Sequence, residues 1–302
     1  MDFKESKLFG ISDLNKLKNL LESDLVEYKS TKNIHWNHYH FRIINKGKRL
    51  VEEPDKELKK IQRRIIYLLK EIPIPHYLHS CKGRSCITNV EAHKDTPHKI
   101  IKLDISKFYP STSRDKVYKF WKNDMNMSGE VANLVTNITT ITIFKNNKIS
   151  KFLSDNKIET YSHLPTGSPS SPLLSFLANK NMFLSIFHEV TKYGGTLSIY
   201  ADDITVSGVN NTKIVYSSIR NILFSNGYLA SNKKSCIKTN NKGIEITGII
   251  LREDGNLLAP NRINKKIKDI QQSSDNNDKK QSTIKGIKQF QRQINRVNIM
   301  KQ

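Results

Sequence analysis

Cysteine is scarce in this chain. Three thiols in 302 residues, Cys81, Cys86 and Cys236, build no disulfide framework, and no second close pair joins Cys81 and Cys86 to complete a zinc pattern. They read as reduced structural thiols in a cytosolic protein. Long apolar runs are missing too. No stretch approaches the ~18 residues of a membrane-spanning helix, and no signal peptide or lipidation motif stands out. No unit repeats at a solenoid spacing. Hydrophobic residues make up only 37% of the chain, which at this length still supplies a core for one large domain or two to three small ones.

Acidic residues are also in short supply. Against 28 Asp and Glu stand 50 Lys and Arg, a formal charge of +22. Such an excess describes partners rather than fold. A polyanion gains most from it, because each neutralised phosphate releases condensed counterions. An anionic membrane surface is the alternative, but the chain offers no apolar segment to anchor there. The expected partner is therefore nucleic acid.

Apolar spacing sets out the elements. Leu14, Leu17, Leu20, Leu21 and Leu25 predict a helical start. Pro54 and Asp55 open a second helix over about 55–71, with Leu58, Ile61, Ile65, Leu68 and Leu69 on one face, and Pro73 and Pro75 close it. Residues 99–105 read as a strand, 114–137 as helical, and 140–160 as an exposed loop or hairpin. Pro172 opens a long apolar helix through Phe187. Residues 196–207 form two short strands folded at paired aspartates, 212–225 an amphipathic helix ended by Gly227, and 244–258 a hairpin turning at Asp254-Gly255. Beyond 261 the chain is basic and polar, with a linker over 271–283 and a final helix near 284–298. Helices and strands mix without βαβ alternation, so the expected class is α+β.

Three acids stand out. Asp104 ends an apolar strand, where a carboxylate is costly unless paired; it reads as a helix cap or as a metal ligand. Asp202 and Asp203 sit between apolar alternations, at a hairpin tip that can bring both carboxylates near one place; an ordinary Asp-rich turn is the plainer reading. Taken together they describe a better-defined site. Magnesium takes one or two carboxylates plus substrate phosphates, and two metals can clamp the attacking and leaving oxygens of a phosphoryl displacement. A basic chain that gathers acids at one point works against its own field, and a cation there resolves the conflict.

Three segments occur in order: Leu103-Asp104-Ile105-Ser106-Lys107-Phe108-Tyr109-Pro110-Ser111, then Leu164-Pro165-Thr166-Gly167-Ser168-Pro169-Ser170-Ser171-Pro172, then Tyr200-Ala201-Asp202-Asp203. They resemble the core palm motifs of reverse transcriptases. Asn89-Val90-Glu91-Ala92-His93, Ile246-Thr247-Gly248 and Lys82-Gly83-Arg84-Ser85 narrow the likeness to bacterial retron reverse transcriptases. The resemblance runs from about residue 40 to 300.

It implies a right-hand polymerase: an N-terminal helical extension over 1–29, fingers over 30–98, an antiparallel-sheet palm over 99–258 and a short basic helical thumb over 259–302. Asp104, Asp202 and Asp203 would be catalytic and hold two Mg2+ ions, with the Ile105 carbonyl as a further ligand. Tyr109 falls where the family places a steric gate beneath the deoxyribose, though a Phe-Tyr pair is ordinarily core. Gly167 would admit the incoming nucleotide or template base, or be a plain turn. Thr166 stands where the family usually has Gln. Arg49, and behind it Lys46, would bind triphosphate. Lys234 would neutralise or protonate the pyrophosphate, if it is not simple surface charge.

The implied partners are a structured noncoding RNA serving as template and primer, its DNA product, dNTPs and a separate effector protein, in the bacterial cytoplasm and without a membrane. Other defence-associated or intron-type reverse transcriptases share much of the pattern, and a noncatalytic RNA-binding scaffold is the rival of another class. His35, His38 and His40 have no acidic neighbour in sequence; packing, or RNA stacking by Trp36 and Tyr39, is preferred to a metal cluster. His93 is expected to order its own loop. His163 lies near Ser162 and Ser168, but no nucleophile elbow surrounds them.

Overall fold

The computed structural model describes residues 1–24, 28, 38–44, 49–81, 83–144, 149, 160–273 and 277–299. Lys46, His35, Trp36, Leu25 and Lys82 lie outside the described residues. Two compact units divide the chain, each built from two stretches: Met1–Pro75 with Ser106–Phe183, and His76–Ile105 with Leu184–Gln302. Helices combine with antiparallel sheets, an α+β protein.

The first unit is mainly helical. Asp13 caps helix Leu14–Leu21 by accepting from the Lys16 N–H, and Leu17 and Leu21 are buried. That helix packs on Lys56–Leu68, whose cap is Asp55 and whose buried face includes the expected Leu58, Ile61, Ile65 and Leu68. The helix stops at Leu68, before the prolines are reached. Strands Tyr39–Ile44 and Arg49–Pro54 pair antiparallel. So do Ile141–Phe144 and Thr160–His163, at the two ends of the expected 140–160 loop or hairpin, most of which lies outside the described residues.

Two expected helices are broken. The stretch 114–137 divides into Arg114–Lys119, a π turn at Phe120–Asp124, and Gly129–Thr139. The wider π turn puts both Phe120 and Trp121 in the core. Asn126 then takes a positive φ and Ser128 caps the next helix. The helix opened by Pro172 splits into Ser171–Leu177 and Lys180–Lys192. Here the Asn179 amide donates to the Ser175 carbonyl at 2.8 Å, so the Asn179 N–H turns to Phe176 instead.

The second unit carries a four-stranded antiparallel sheet. Its strands lie in the order Thr196–Tyr200, Asp203–Ser207, Lys99–Asp104, Cys236–Thr239. Leu78 adds a parallel bridge to Ile199 at one edge. Helix Thr212–Ser225 packs on the sheet with Val215, Ile219 and Leu223 buried. His93 is wholly buried, and its two ring nitrogens lie 2.7 Å from the hydroxyls of Ser207 and Ser198. It therefore ties two sheet strands together, not its own loop, because burial leaves those hydroxyls as its partners.

The expected 244–258 hairpin is a three-stranded meander of Ile244–Ile246, Ile249–Leu251 and Leu257–Leu258. An extra turn falls at Thr247-Gly248, both with positive φ, the signature of a tight hairpin connection. Thr247 is held there by donating its hydroxyl to the Cys86 carbonyl and accepting from the Asn89 amide. The Asn89–His93 and Ile246–Gly248 segments, far apart in sequence, thus meet. Around them Ile87, Val90, Ile100, Ile249, Leu251 and Ile294 form a core. Ile294 belongs to the last helix, Asn277–Ile299, which begins inside the expected linker; Asn261–Gln272 precedes it. Among the described residues no helix is long and apolar enough to cross a membrane.

Candidate active site

Alternation places the first acid. In Lys99–Asp104 the residues Ile100, Ile101 and Leu103 are buried between neighbouring strands, and Asp104 is carried to the sheet end at 6% exposure. Asp203 is its direct partner across the antiparallel pair. Asp203 also pairs with Tyr200, so Ala201 and Asp202 form a two-residue turn. Ala201 has φ 56°, a left-handed conformation that costs a residue with a Cβ about 1–2 kcal/mol. The turn is pinned where the Ile105 N–H donates to the Asp202 carbonyl at 2.8 Å. This register, and not the adjacency of two acids, brings the backbones of Asp104, Asp202 and Asp203 to one end of the sheet.

A loop closes on the same point. Asp104 donates its N–H to the Ser235 hydroxyl at 3.2 Å and accepts from the Ser231 N–H at 2.8 Å. Its carboxylate accepts from Lys234 at 2.7 Å. The sequence points to Lys234 but not to Ser235 or Ser231, whose partner is 131 residues away for Ser235; no local pattern marks them. Asp104 does not cap the following helix, whose N-cap position is Lys107 without a side-chain bond.

The charges are uneven. Burial pushes the Asp203 carboxyl up to about 6, and the carboxylates of Asp202 and Asp104 push the same way, against Lys102 and Lys234. The Asp104 carboxylate raises the Lys234 ammonium above its usual range.

Among the described residues no three acids, histidines or cysteines converge into a ready-made cation cage. The donor chemistry nevertheless fits a hard divalent cation. Carboxylate oxygens are its preferred ligands, and the mutual repulsion felt at Asp203 is the field a cation would relieve.

The other expected residues belong to the first unit. Arg49 is exposed at the start of strand Arg49–Pro54. Tyr109 is half-buried in the short helix Phe108–Ser111, its ring 5.9 Å from Phe108. Gly167 donates its N–H to the Glu52 carbonyl, and a Cβ on it would come within 2.5 Å of that oxygen. This is a close approach of backbone to backbone that only glycine allows.

Glu52 organises this region, although no motif in the sequence marks it. Its carboxylate meets His163 at 2.9 Å and accepts from the Thr166 N–H at 2.9 Å, the Glu52 and His163 side chains both being 1% exposed. The Thr166 hydroxyl lies 3.2 Å from the Leu50 carbonyl and from the Glu52 carboxylate. Thr166 therefore clasps the strand to the turn. The available signal was alternation: Leu50, Glu52 and Pro54 share the buried face.

The histidine group reads differently in three dimensions. The hairpin brings Asp55 to His38, at 2.7 Å, an acidic partner that the local sequence hides. Tyr39 is buried and accepts from Gln62, which makes it core and not a stacking platform.

A profile described as "Reverse transcriptase (RNA-dependent DNA polymerase)" matches residues 29–251. Over 165 residues the chain is 32% identical to the Retron Se72 reverse transcriptase of Salmonella heidelberg, covering 54% of this chain and 38% of that protein. Over 216 residues it is 27% identical to the Retron Ec86 reverse transcriptase of Escherichia coli, covering 69% and 60%. Over 241 residues it is 23% identical to the Retron Ec83 reverse transcriptase of Escherichia coli, covering 76% and 72%. The chain thus spans less than two thirds of the length of the first two relatives. The family match covers most of the chain, including every described site residue above: this chain belongs to the reverse transcriptase family, with retron reverse transcriptases as its curated relatives.

Proposed function

We propose that the chain is an RNA-directed DNA polymerase of the retron kind. It copies part of a cognate structured noncoding RNA into DNA, primed from an RNA 2′-hydroxyl to give a branched RNA–DNA hybrid. The biological setting is antiphage defence in the bacterial cytoplasm, with a separate effector protein. The carrying observation is the pairing of Asp104 with Asp203 beside the strained Ala201-Asp202 turn, three acids held by sheet register in a chain of charge +22.

In this reading the fingers span 30–98, the palm 99–258 and the thumb 259–302, after an N-terminal extension over 1–29. Asp104, Asp202 and Asp203 would hold two magnesium ions, with the Ile105 carbonyl as a further ligand. When bound, the ions supply Lewis-acid activation and charge neutralisation for attack of a primer hydroxyl on the α-phosphate of a dNTP. The chain's own residues do the rest. Arg49, with Lys46, binds the triphosphate through charge-assisted hydrogen bonds. Tyr109 lies under the sugar and leaves no room for a 2′-hydroxyl. Gly167 and Thr166 hold the nucleotide-facing turn against strand Arg49–Pro54. Lys234 neutralises or protonates the departing pyrophosphate. The remaining positive charge binds template and product phosphates and makes the affinity fall with salt.

The test is dNTP incorporation on primed RNA with magnesium, followed by sequencing of the nucleic acid that co-purifies with the protein. A short DNA branched from one RNA species supports the retron reading. An active preparation without such a species favours another priming mode, and RNA binding without incorporation favours a scaffold.

A further inference from the structure

One side of the Lys234 loop faces Asp104. The other faces helix Thr212–Ser225, and there the contacts are as specific. Arg220 reaches from the helix to the Asn232 side chain, donating to its carbonyl oxygen at 3.0 Å. The same guanidinium donates to the Tyr216 hydroxyl at 3.3 Å and lies over the Tyr216 ring, 5.6 Å from its centroid. Tyr216, one helical turn earlier, donates its hydroxyl to the Ser235 carbonyl at 3.5 Å. The helix therefore grips the loop at Asn232 and at Ser235, on either side of Lys234. Within the loop the N–H groups of Lys234 and Ser235 both turn back to the Ser231 carbonyl.

This matters because the Lys234 side chain is largely solvated. Its side chain is 66% exposed, and an ammonium on a four-carbon stem loses much rotamer entropy when held at one point. Its ammonium is held at the tip by the 2.7 Å bond to Asp104. Its position is inherited from its backbone, which is fixed on one side by Asp104 and on the other by Arg220 and Tyr216.

We propose that Arg220, with Tyr216, is a positioning residue: it holds the Asn232–Ser235 loop so that the Lys234 ammonium stays within reach of the Asp104 carboxylate and the reacting phosphates. Arg220 acts through the loop, by its bonds to Asn232 and Tyr216. The proposal rests on the polymerase reading for its catalytic consequence, but not for its geometry. A planar fork that engages Asn232 and Tyr216 together cannot be copied by lysine, whose single ammonium reaches one partner at a time.

The test pairs kinetics with a measurement that needs no turnover. Arg220→Leu and Arg220→Lys should each lower kcat for nucleotide incorporation about tenfold, with KM for the dNTP within about twofold, the pattern of an interaction made only in the transition state. In a Lys234→Met background the same substitutions should have almost no further effect, because the group they position is gone. Amide exchange of the 231–235 segment should quicken at least several-fold in both variants, and in Tyr216→Phe to a lesser extent, while the central sheet strands exchange as before. Tyr216→Phe also serves if loss of Arg220 unfolds the helix. Equal losses with and without Lys234, or unchanged exchange of the loop, would overturn the proposal. If the parent chain incorporates no nucleotide, the polymerase reading fails, and the exchange measurement alone decides whether Arg220 holds the loop.

Discussion

Asp104 stands directly opposite Asp203 at the ends of two paired antiparallel strands, and Lys234 is hydrogen-bonded to the first of them. If this arrangement is the reaction centre, Asp104→Asn, Asp202→Asn or Asp203→Asn should each reduce incorporation on primed RNA by about 10²–10³-fold or more, the scale seen when an electrostatic stabiliser is lost. RNA binding should persist, because removing one acid slightly favours a polyanion. A filter-binding assay beside the incorporation assay checks both, and unchanged incorporation in the Asp202 and Asp203 variants would sink the catalytic assignment.

Asp203 also makes a pH prediction for metal-free protein. Its folded carboxyl titrates near 6, above the ~3.9 of an unfolded Asp. The folded state thus prefers the protonated form. Stability from this group is complete below about pH 4 and is lost as pH rises through 6, at a cost on the order of 2 kcal/mol. Asp203→Asn should therefore melt several degrees above the parent near pH 7 in a chelator, and the difference should close near pH 4. Melting curves across that range decide it; a variant that melts no higher at neutral pH contradicts the account.

The buried Glu52–His163 pair should be one of the more sensitive points of the first unit. Glu52→Ala strips the Thr166 N–H and His163 of their shared acceptor, and leaving a buried polar group unsatisfied costs about 1–3 kcal/mol. Glu52→Gln keeps an acceptor oxygen and should cost less. Urea unfolding of the two variants gives the comparison.

Gly167→Ala should be destabilising by about 1–3 kcal/mol, because the new methyl meets backbone atoms of Glu52 and Glu53 that cannot rotate aside. Gly286 is the control. It lies in the final helix with open space around it, so Gly286→Ala should stabilise by about 0.5–1 kcal/mol. Thermal denaturation of both variants tests the contrast, which is one of sign.

Tyr109 yields a prediction about substrate. Tyr109→Ala should raise incorporation of ribonucleotides relative to deoxyribonucleotides by at least tenfold, which single-nucleotide competition on a primed template would read. No change in that ratio would leave Tyr109 as a packing residue beside Phe108.

The elements set by local chemistry were legible in the amino-acid order. Leucine spacing gives the first helix, Asp55 opens the next, Gly227 ends one, and the alternation around Tyr200–Asp203 gives two strands and a turn. The expectation of a polyanionic partner also needs no fold, since it rests on the excess of Lys and Arg alone. The motifs around Asp104, Gly167 and Asp202 identified the family for the same reason: their spacing is local. Tertiary structure alone decided what meets what. Asp104 is placed by register against Asp203 and clasped by a loop 130 residues later; Glu52 is drawn inward to His163 and Thr166; His93 bridges two strands. It also broke two expected helices, where a π turn satisfied the core and where Asn179 captured a backbone carbonyl. These outcomes depend on which distant groups are buried together. A buried polar atom takes whatever partner the packing supplies, and nothing in the neighbouring residues records which one that will be.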